Sequence, residues 1–456
     1  MRKIRFYIAL WAAKAARLCL VILGRNATCF PGKVAQYLCK DFLHQLKKPK
    51  TVVAVTGTNG KTTVSNLLAS ILKATGKSVT NNSYGSNIRP GVMAALIEDT
   101  TIFGKPKKEI AILEVDERSS LLVYPGLKPD IMICNNIMRD SVKRNAHTEF
   151  ISYIINTALP ETTKVILNGD DLICSSLAPQ CKDRTYFGLD AERPEISKKP
   201  YLSDIVYCPE CGNKLEAEYI RYNHIGRFHC ASCSFASPER QFVVTSIDRE
   251  NSTFTLSYNN QETTYKLIND NIVNVYNLCG AIAVLTKLGM DPDTIKSAFD
   301  KLEIVKTRLD TAVSGDLRIT LLMAKGQNPI ACGRCFDYAA STPGENKSVV
   351  VITDDINDNT GESENTCWLY DCDYSYLTHP SIGEVIFGGP RCKDQYLRAL
   401  LAGVAPEKIK TSPSCTEATE LTDTERFKDI YVLHDLYRTA DAAACKAILI
   451  RKGAAK

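Results

Sequence analysis

Two groups of residues in this 456-residue chain have the types and the spacing to do chemistry. The first is VTGTNGKTT (55–63), which follows the β-branched run TVVA and precedes VSNLLASILKATG, a helical pattern with leucines on one face. A glycine-rich turn at a helix N-terminus points backbone N–H groups outward at the positive end of the helix dipole and attracts an anion. A polyphosphate fits: Lys61 would reach the β- and γ-phosphates and Thr62 a Mg²⁺ ion. Two residues separate Gly57 from Gly60, where the usual Walker A loop has four, so the stretch is a shorter nucleotide-binding variant.

The second group is CPECGNKLEAEYIRYNHIGRFHCASC (208–233). Cys208 and Cys211 stand two residues apart, Cys230 and Cys233 have the same gap, and 18 residues lie between the pairs. Each Cys-x-x-Cys turn can present two thiolates to one metal, and four thiolates suit tetrahedral Zn²⁺ with no open position. Such a closed site is structural rather than catalytic. Reduced cysteines that happen to pair are the competing reading. His224 and His229 read as surface or outer-sphere residues, not ligands.

These residues need elements to place them. After an opening helix, Pro31 and Gly32 predict a turn and VAQYLCKDFLHQL (34–46) a second helix. Residues 51–55 read as a buried strand and 64–75 as the following helix. Further strands are expected at KSVTNN (77–82), EIAILEV (109–115), DIMICNN (130–136) and KVILNG (164–169), separated by helix-length stretches, as in a parallel sheet with covering helices. Ligands of such sheets bind beyond the carboxyl ends of the strands, where the glycine loop, Glu114, Asn135 and Asn136 fall. Residues 242–267 read as β-hairpins with turns at 249–251 and 259–260, and VYNLCGAIAVLTKLG as a helix. LRITLLMA, SVVVITDDIND, SIGEVIFGG, KDQYLRALLAGV, DIYVLHDL and AACKAILIRK then predict a second, doubly wound α/β domain, with its boundary near 310–316.

Composition narrows the class. The length predicts two or three domains, and 45% apolar residues are ample for their cores. A net charge of +5 from 56 Lys and Arg against 51 Asp and Glu gives no reason to invoke nucleic acid or an anionic membrane. The eighteen cysteines are mostly scattered singly through apolar segments, as at Cys19, Cys134 and Cys279, which points to reducing cytosol rather than a disulfide scaffold. The opening MRKIRFYIALWAAKAARLCLVILG has a basic start and an apolar run, but Lys14 and Arg17 interrupt it well short of the ~20 apolar residues a span needs. An amphipathic helix packed on the protein is expected, with peripheral membrane contact as the alternative.

VTGTNGKTT, EVDE (114–117), NVYN (274–277) and KTRLD (306–310) together resemble the ATP-binding core of the Mur ligases, enzymes that activate a carboxylate as an acyl phosphate. The short helical N-terminus, the inserted four-cysteine ribbon and GEVIFGGPRCKDQYLRALLAGV (383–404) are similar to the amidating branch of that family over nearly the whole chain. The resemblance implies an α/β fold: a helical segment (1–45), a Mur ligase central ATPase domain with a parallel-rich sheet and P-loop (46–312), and a C-terminal doubly wound α/β domain (313–456). The Cys₄ zinc ribbon is an insertion at about 200–240 of the central domain. It implies ATP-dependent amidation of the D-glutamate α-carboxylate in the lipid II stem peptide, giving D-isoglutamine. ATP, Mg²⁺ and Zn²⁺ are the implied cofactors and a GatD-type glutaminase the implied heterodimer partner. The implied location is cytoplasmic, at the inner face of the membrane through the substrate, with no nucleic acid. No cysteine sits in a Gly-x-Cys-x-Gly elbow, so ammonia comes from elsewhere.

Carried over by position, Gly57, Thr58, Asn59, Gly60, Lys61, Thr62 and Thr63 form the phosphate loop. Thr62 and Glu114 hold Mg²⁺, Asn274 and Asn277 lie on the adenine side, and Arg308 lies near the phosphates. Asp371 joins Lys61 and Glu114 in catalysis, and Asp371, Asp358 or His434 would orient ammonia or the glutaminase's histidine. Simpler roles compete: a solvated charge at Glu114, helix capping at Asn274 and Asn277, a surface arginine at 308 and a structural carboxylate at 371. The family pattern is altered in two places. NDNTGESENTCWLYD (357–371) keeps Asn357, Asp358, Asn359, Trp368 and Asp371 but changes 361–365, and the Lys-Asn-Pro motif is lengthened to Lys325, Gly326, Gln327, Asn328 and Pro329. Two rival functions remain: a peptide-forming ligase on another carboxylate, and a non-catalytic zinc-ribbon scaffold that binds ATP.

Overall fold

The structure is a computed structural model and describes residues 2–82, 86–140, 147–193, 203–268, 271–302, 309–324, 328–353, 366–435 and 437–454. The chain divides into two compact units, one of residues 1–138 and 147–305, the other of 139–146 and 306–456.

The first unit is built on a nine-stranded sheet. Its strands are β1 (Thr51–Thr56), β2 (Val79–Asn81), β3 (Ile110–Glu114), β4 (Ile131–Cys134), β5 (Lys164–Asn168), β6 (Arg184–Leu189), β9 (Phe242–Asp248), β10 (Thr253–Tyr258) and β11 (Gln261–Lys266). The order is β11-β10-β9-β6-β5-β4-β1-β3-β2, parallel from β2 to β9 and closed by the antiparallel meander β9-β10-β11. Strands β7 (Leu215–Tyr222) and β8 (Ile225–Cys230) form a separate antiparallel hairpin, which carries the four-cysteine segment. The runs of Val, Ile and Leu in β1, β3 and β4 are buried on both faces, as a central parallel sheet requires.

Helices α1 (Arg2–Ile22), α2 (Phe30–Leu38), α3 (Phe42–Gln45), α4 (Lys61–Ala74), α5 (Arg89–Glu98), α6 (Ser120–Leu127), α7 (Thr148–Ala158), α8 (Leu172–Ser175), α9 (Ile272–Lys287) and α10 (Pro292–Asp300) complete the unit. Pro31 and Gly32 open α2 instead of making a turn: a proline is accepted in a first helical turn, whose N–H groups have no intrahelical partner. Gly32 lets α2 approach α5 so closely that a Cβ would stand 1.8 Å from the Pro90 carbonyl oxygen. The helix expected over 34–46 is broken at Cys39, which is extended (φ −143°, ψ 96°) and buried, and the chain turns helical again only at Phe42.

The second unit holds a six-stranded sheet of β12 (Leu309–Ser314), β13 (Leu317–Met323), β14 (Lys347–Ile352), β15 (Ile382–Gly388), β16 (Ile409–Ser412) and β17 (Asp429–His434), in the order β12-β13-β17-β14-β15-β16. All neighbours are parallel except the hairpin β12-β13, which spans the boundary stretch near 310–316. Alternation sorts the side chains of β14 between two cores. Val349 and Val351 meet α11 (Pro329–Ser341), α12 (Trp368–Asp371) and α13 (Cys392–Leu401), while Val350 and Ile352 meet α14 (Cys415–Glu420) and α15 (Thr439–Ala454). Helices on both faces of a mostly parallel sheet make this the expected doubly wound arrangement.

Candidate active site

Strand β1 ends at Thr56 and α4 begins at Lys61, so Gly57, Thr58, Asn59 and Gly60 form the whole connection. Both glycines are needed. Gly57 has φ +122° and Gly60 φ +84°, and a Cβ on Gly60 would stand 2.2 Å from Asn277 Oδ1. The loop is held from below by the residues after β4. Thr58 Oγ1 donates to the Met138 carbonyl at 3.1 Å and accepts from Met138 N–H at 2.9 Å. Asn59 N–H donates to Asn136 Oδ1 at 2.9 Å, and Asn135 and Asn136 both donate to the Asn59 carbonyl. No side chain caps α4 and no acidic residue occupies its first turn. Its opening N–H groups are therefore available to an external anion.

Lys61 is buried and donates to Glu117 Oε1 at 2.9 Å and to the Gly57 carbonyl at 2.5 Å. Burial opposes its charge, but Glu117, and behind it Asp116 and Glu114, outweigh that and hold the ammonium pKa above its ordinary value. Burial likewise lifts the Glu117 carboxyl, against the pull of Lys61. At the end of β3, Glu114 Oε2 accepts from Thr62 Oγ1 at 2.8 Å and Oε1 accepts from Asn87 Nδ2 at 2.9 Å. A hydroxyl and a carboxylate oxygen thus stand together beside the loop, the hard donor set that Mg²⁺ takes. Thr63 lies exposed on the first turn of α4.

Asn274 and Asn277 lie inside α9, and its cap is Asn271, whose side chain accepts from Val273 N–H. Capping is therefore not their role. Asn277 packs against Gly60, and its Oδ1, like that of Asn135, is buried without a hydrogen-bond partner. Arg308 lies outside the described residues, as do Lys325, Gly326, Gln327, Asn357, Asp358, Asn359 and 361–365.

In the hairpin insertion the Sγ atoms of Cys208, Cys211, Cys230 and Cys233 all lie within 4.8 Å of one another. Cys208 and Cys233 approach to 3.6 Å and Cys211 and Cys230 to 3.5 Å, near the roughly 3.8 Å edge of a tetrahedron with 2.3 Å metal–sulfur bonds. The Asn213 backbone N–H lowers the Cys211 thiol to about 6, whereas, against the Phe235 backbone N–H, burial and the three neighbouring thiols raise that of Cys233 to about 12. His229 is partly exposed and faces Glu216 at 3.3 Å. His224 is not a surface residue. It is buried at the tip of the hairpin with its ring nitrogens 3.3 Å from Asp171 and 3.5 Å from Asp204, contacts that raise its pKa to about 10 despite burial. Asp171 caps α8 and accepts from Ile137 N–H at 2.8 Å, one residue before Met138, which holds Thr58. The hairpin is thereby tied by an imidazolium to the floor of the phosphate loop.

In the second unit, Asn328 caps α11 and donates to Asp140 at 3.2 Å. Asp371 ends α12, anchored by buried Trp368 and Leu369, with its partly exposed carboxylate 3.7 Å from Arg139. His434 ends β17, buried, its Nδ1 2.8 Å from the Asp435 carbonyl oxygen. Glu117 lies in the EVDE stretch, but its pairing with Lys61, like the Asp171–His224 pair, has no local signature in the sequence.

Comparison with known proteins gives two family models: the Mur ligase middle domain over residues 55–285 and the MurT ligase C-terminal domain over 326–437. The lipid II isoglutaminyl synthase (glutamine-hydrolyzing) subunit MurT of Staphylococcus aureus (strain COL) is 31% identical over 402 residues, 88% of this chain and 89% of that protein. The subunit of the same name from Streptococcus pneumoniae (strain ATCC BAA-255 / R6) is 30% identical over 430 residues, 93% of each chain. Among solved structures, a pseudomurein peptide ligase type C from Methanothermus fervidus superposes with a TM-score of 0.67 at 20% identity, over 91% of this chain and 81% of that one. MurF from Acinetobacter baumannii gives 0.62 at 16% identity, over 92% and 80%.

Proposed function

The chain belongs to the MurT branch of the Mur ligase family, and on that premise we propose that Lys61, Thr62 and Glu114 serve the ATP-dependent amidation of a carboxylate. The protein is an ATP-dependent carbon–nitrogen ligase: the synthetase subunit of a lipid II isoglutaminyl synthase. The observation that carries the residue assignment is the clustering of a buried lysine, a hydroxyl–carboxylate pair and an uncapped helix N-terminus around one glycine loop.

The reaction takes two steps. The D-glutamate α-carboxylate attacks the γ-phosphorus of ATP, forming an acyl phosphate and releasing ADP. Ammonia then adds to the acyl carbon, a proton is lost, and inorganic phosphate leaves the amide. In this reading Lys61 and the first N–H groups of α4 neutralise charge spreading over the transferring phosphoryl oxygens, which is the largest catalytic contribution expected of such a site. Mur ligases use ATP and Mg²⁺; Thr62 and Glu114 would hold the metal, which would supply further neutralisation of the phosphates. Asn277 and Asn135 brace the loop at Gly60, where a Cβ would stand 2.2 Å from Asn277 Oδ1 and 2.9 Å from Asn135 Nδ2.

Ammonia comes from a GatD-type glutaminase, and the lipid-linked substrate places the enzyme at the inner face of the membrane. No described helix is long and apolar enough to cross one. Co-purification with the glutaminase, followed by incubation with ATP, glutamine and lipid II, is expected to yield ADP, phosphate and D-isoglutamine in equal amounts. A requirement for an amino acid in place of ammonium would make the chain a peptide-forming ligase instead.

The four cysteines are assigned to one structural Zn²⁺. Metal analysis of protein purified without chelator is expected to give about one zinc per chain. Cys208→Ser with Cys211→Ser is expected to lose it and loosen the cysteine turns, while ATP binding persists because His224 and the Gly226 N–H, which donates to the Asp170 carbonyl at 2.7 Å, still fasten the hairpin. A parent protein free of metal under reducing conditions would remove the assignment.

A further inference from the structure

Helix α1 is apolar on two opposite faces. Phe6, Ala9, Leu10 and Ala13 are buried on the side facing α2 and α5, with Phe6 stacked on Phe42 at 4.9 Å between centroids. Ile4, Ile8, Trp11, Leu18 and Ile22, with Ala15 between them, recur at alternating steps of four and three and so line up along the helix. This second stripe is open: Ile4 is 64% exposed, Trp11 53% and Ile22 74%. A second element extends it. Trp11 Nε1 donates to the Ile102 carbonyl at 2.9 Å, which brings the turn at 101–104 and Phe103, 71% exposed, beside the helix. Scattered apolar residues are ordinary on a surface, but a continuous patch assembled from two elements marks a binding site.

The charges around the patch select its partner. Residues 1–40 hold eight Lys and Arg and no Asp or Glu; Arg2 and Arg17 pair with Asp41 and Glu98, and the rest still make a positive excess in a chain whose net charge is only +5. Lys3 and Arg5 are exposed at one end of the stripe, and Lys105, Lys107 and Lys108 follow Phe103. A second copy of the chain would bring the same cations against this rim. An anionic headgroup layer neutralises the rim while the stripe enters the acyl boundary, with a tryptophan at the depth where its amphipathic ring is favoured. We propose that α1 and the 101–104 turn form a surface that lies flat on an anionic phospholipid bilayer. The proposal goes beyond amidation, because it concerns the protein's own affinity for lipid and not its acceptor.

The vesicle assay omits ATP and acceptor, so its failure is separable from failure of the amidation reading. The full chain is sedimented with vesicles of phosphatidylcholine alone and of phosphatidylcholine containing phosphatidylglycerol. Binding is expected to be about tenfold stronger with the anionic lipid and to weaken at high salt. Trp11 emission should shift to the blue, a signal that the chain's other tryptophan, Trp368, being buried, will not obscure. Ile8→Asp with Phe103→Asp, both at exposed positions, is expected to lower vesicle binding about tenfold with thermal unfolding and ATP turnover unchanged. Three results would overturn the proposal: no binding of the parent chain to anionic vesicles, equal binding by the variant, or a variant that loses self-association or glutaminase capture while still binding vesicles.

Discussion

Lys61→Ala is expected to lower ATP turnover about 10³-fold or more, equivalent to roughly 4 kcal/mol of lost transition-state stabilisation. The ammonium is the one side-chain cation held inside the glycine loop among the described residues, and its removal takes away the charge placed to meet that on the transferring phosphoryl. The fold will register the change as well. Glu117 is fully buried with Lys61 as its counter-ion, and deleting one member of such a pair costs on the order of 3–5 kcal/mol. A loss of activity could then be read as a loss of structure, so Lys61→Ala is paired with the double change Lys61→Ala and Glu117→Gln, which removes the stranded charge. The double variant is expected to recover most of the thermal stability and none of the turnover. Parental turnover in either variant would show that the loop has been misassigned.

The loop was legible in the sequence because its determinants are local: two glycines, a lysine and a threonine within six residues, between a strand pattern and a helix pattern. The four-cysteine cluster was legible for the same reason. Partners that meet only through the fold were not. Glu117 reaches Lys61 across 56 positions and Asp171 reaches His224 across 53, and nothing in either segment announces the other. His224 illustrates the difference: a lone histidine in a polar hairpin reads as surface until two carboxylates from separate segments close around it.

Strand β6 shows how packing can erase a local signal. RTYFGL carries a glycine where a strand residue would be expected, yet a Cβ on Gly188 would stand 2.5 Å from Arg240 Cδ and 2.7 Å from Asp170 Oδ1. The strand is weakened locally so that the buried Arg240–Asp170 pair can fit, and Asp170 is completed by Tyr276 Oη–H and Leu189 N–H. Pro31 and Gly32 likewise read as a turn only because Pro90, which forces the glycine, is far along the chain.

Asp371→Asn is expected to reduce glutamine-dependent amidation by about 10²–10⁴-fold, the range of a lost general base, while ATP affinity stays near the parental value. The carboxylate is well placed to act on something outside its own unit's core. Trp368 and Leu369 fix the helix from which it projects, and the side chain itself remains about a third exposed. Its ion pair with Arg139 is long, at 3.7 Å, and exposed pairs of that kind contribute little to stability. A carboxylate can accept a proton from ammonium or hold a glutaminase histidine in its charged form, and an amide can do neither. Replacing glutamine with free ammonium separates these roles: rescue assigns Asp371 to the glutaminase, and no rescue assigns it to the amidation step. Arg139→Ala supplies the control. If Asp371 acted only by holding Arg139, the two variants would lose activity equally, whereas the proposed role predicts that Arg139→Ala keeps most of it. Full glutamine-dependent activity in Asp371→Asn would make the residue a structural carboxylate and would shift attention to the altered stretch 361–365, which precedes α12.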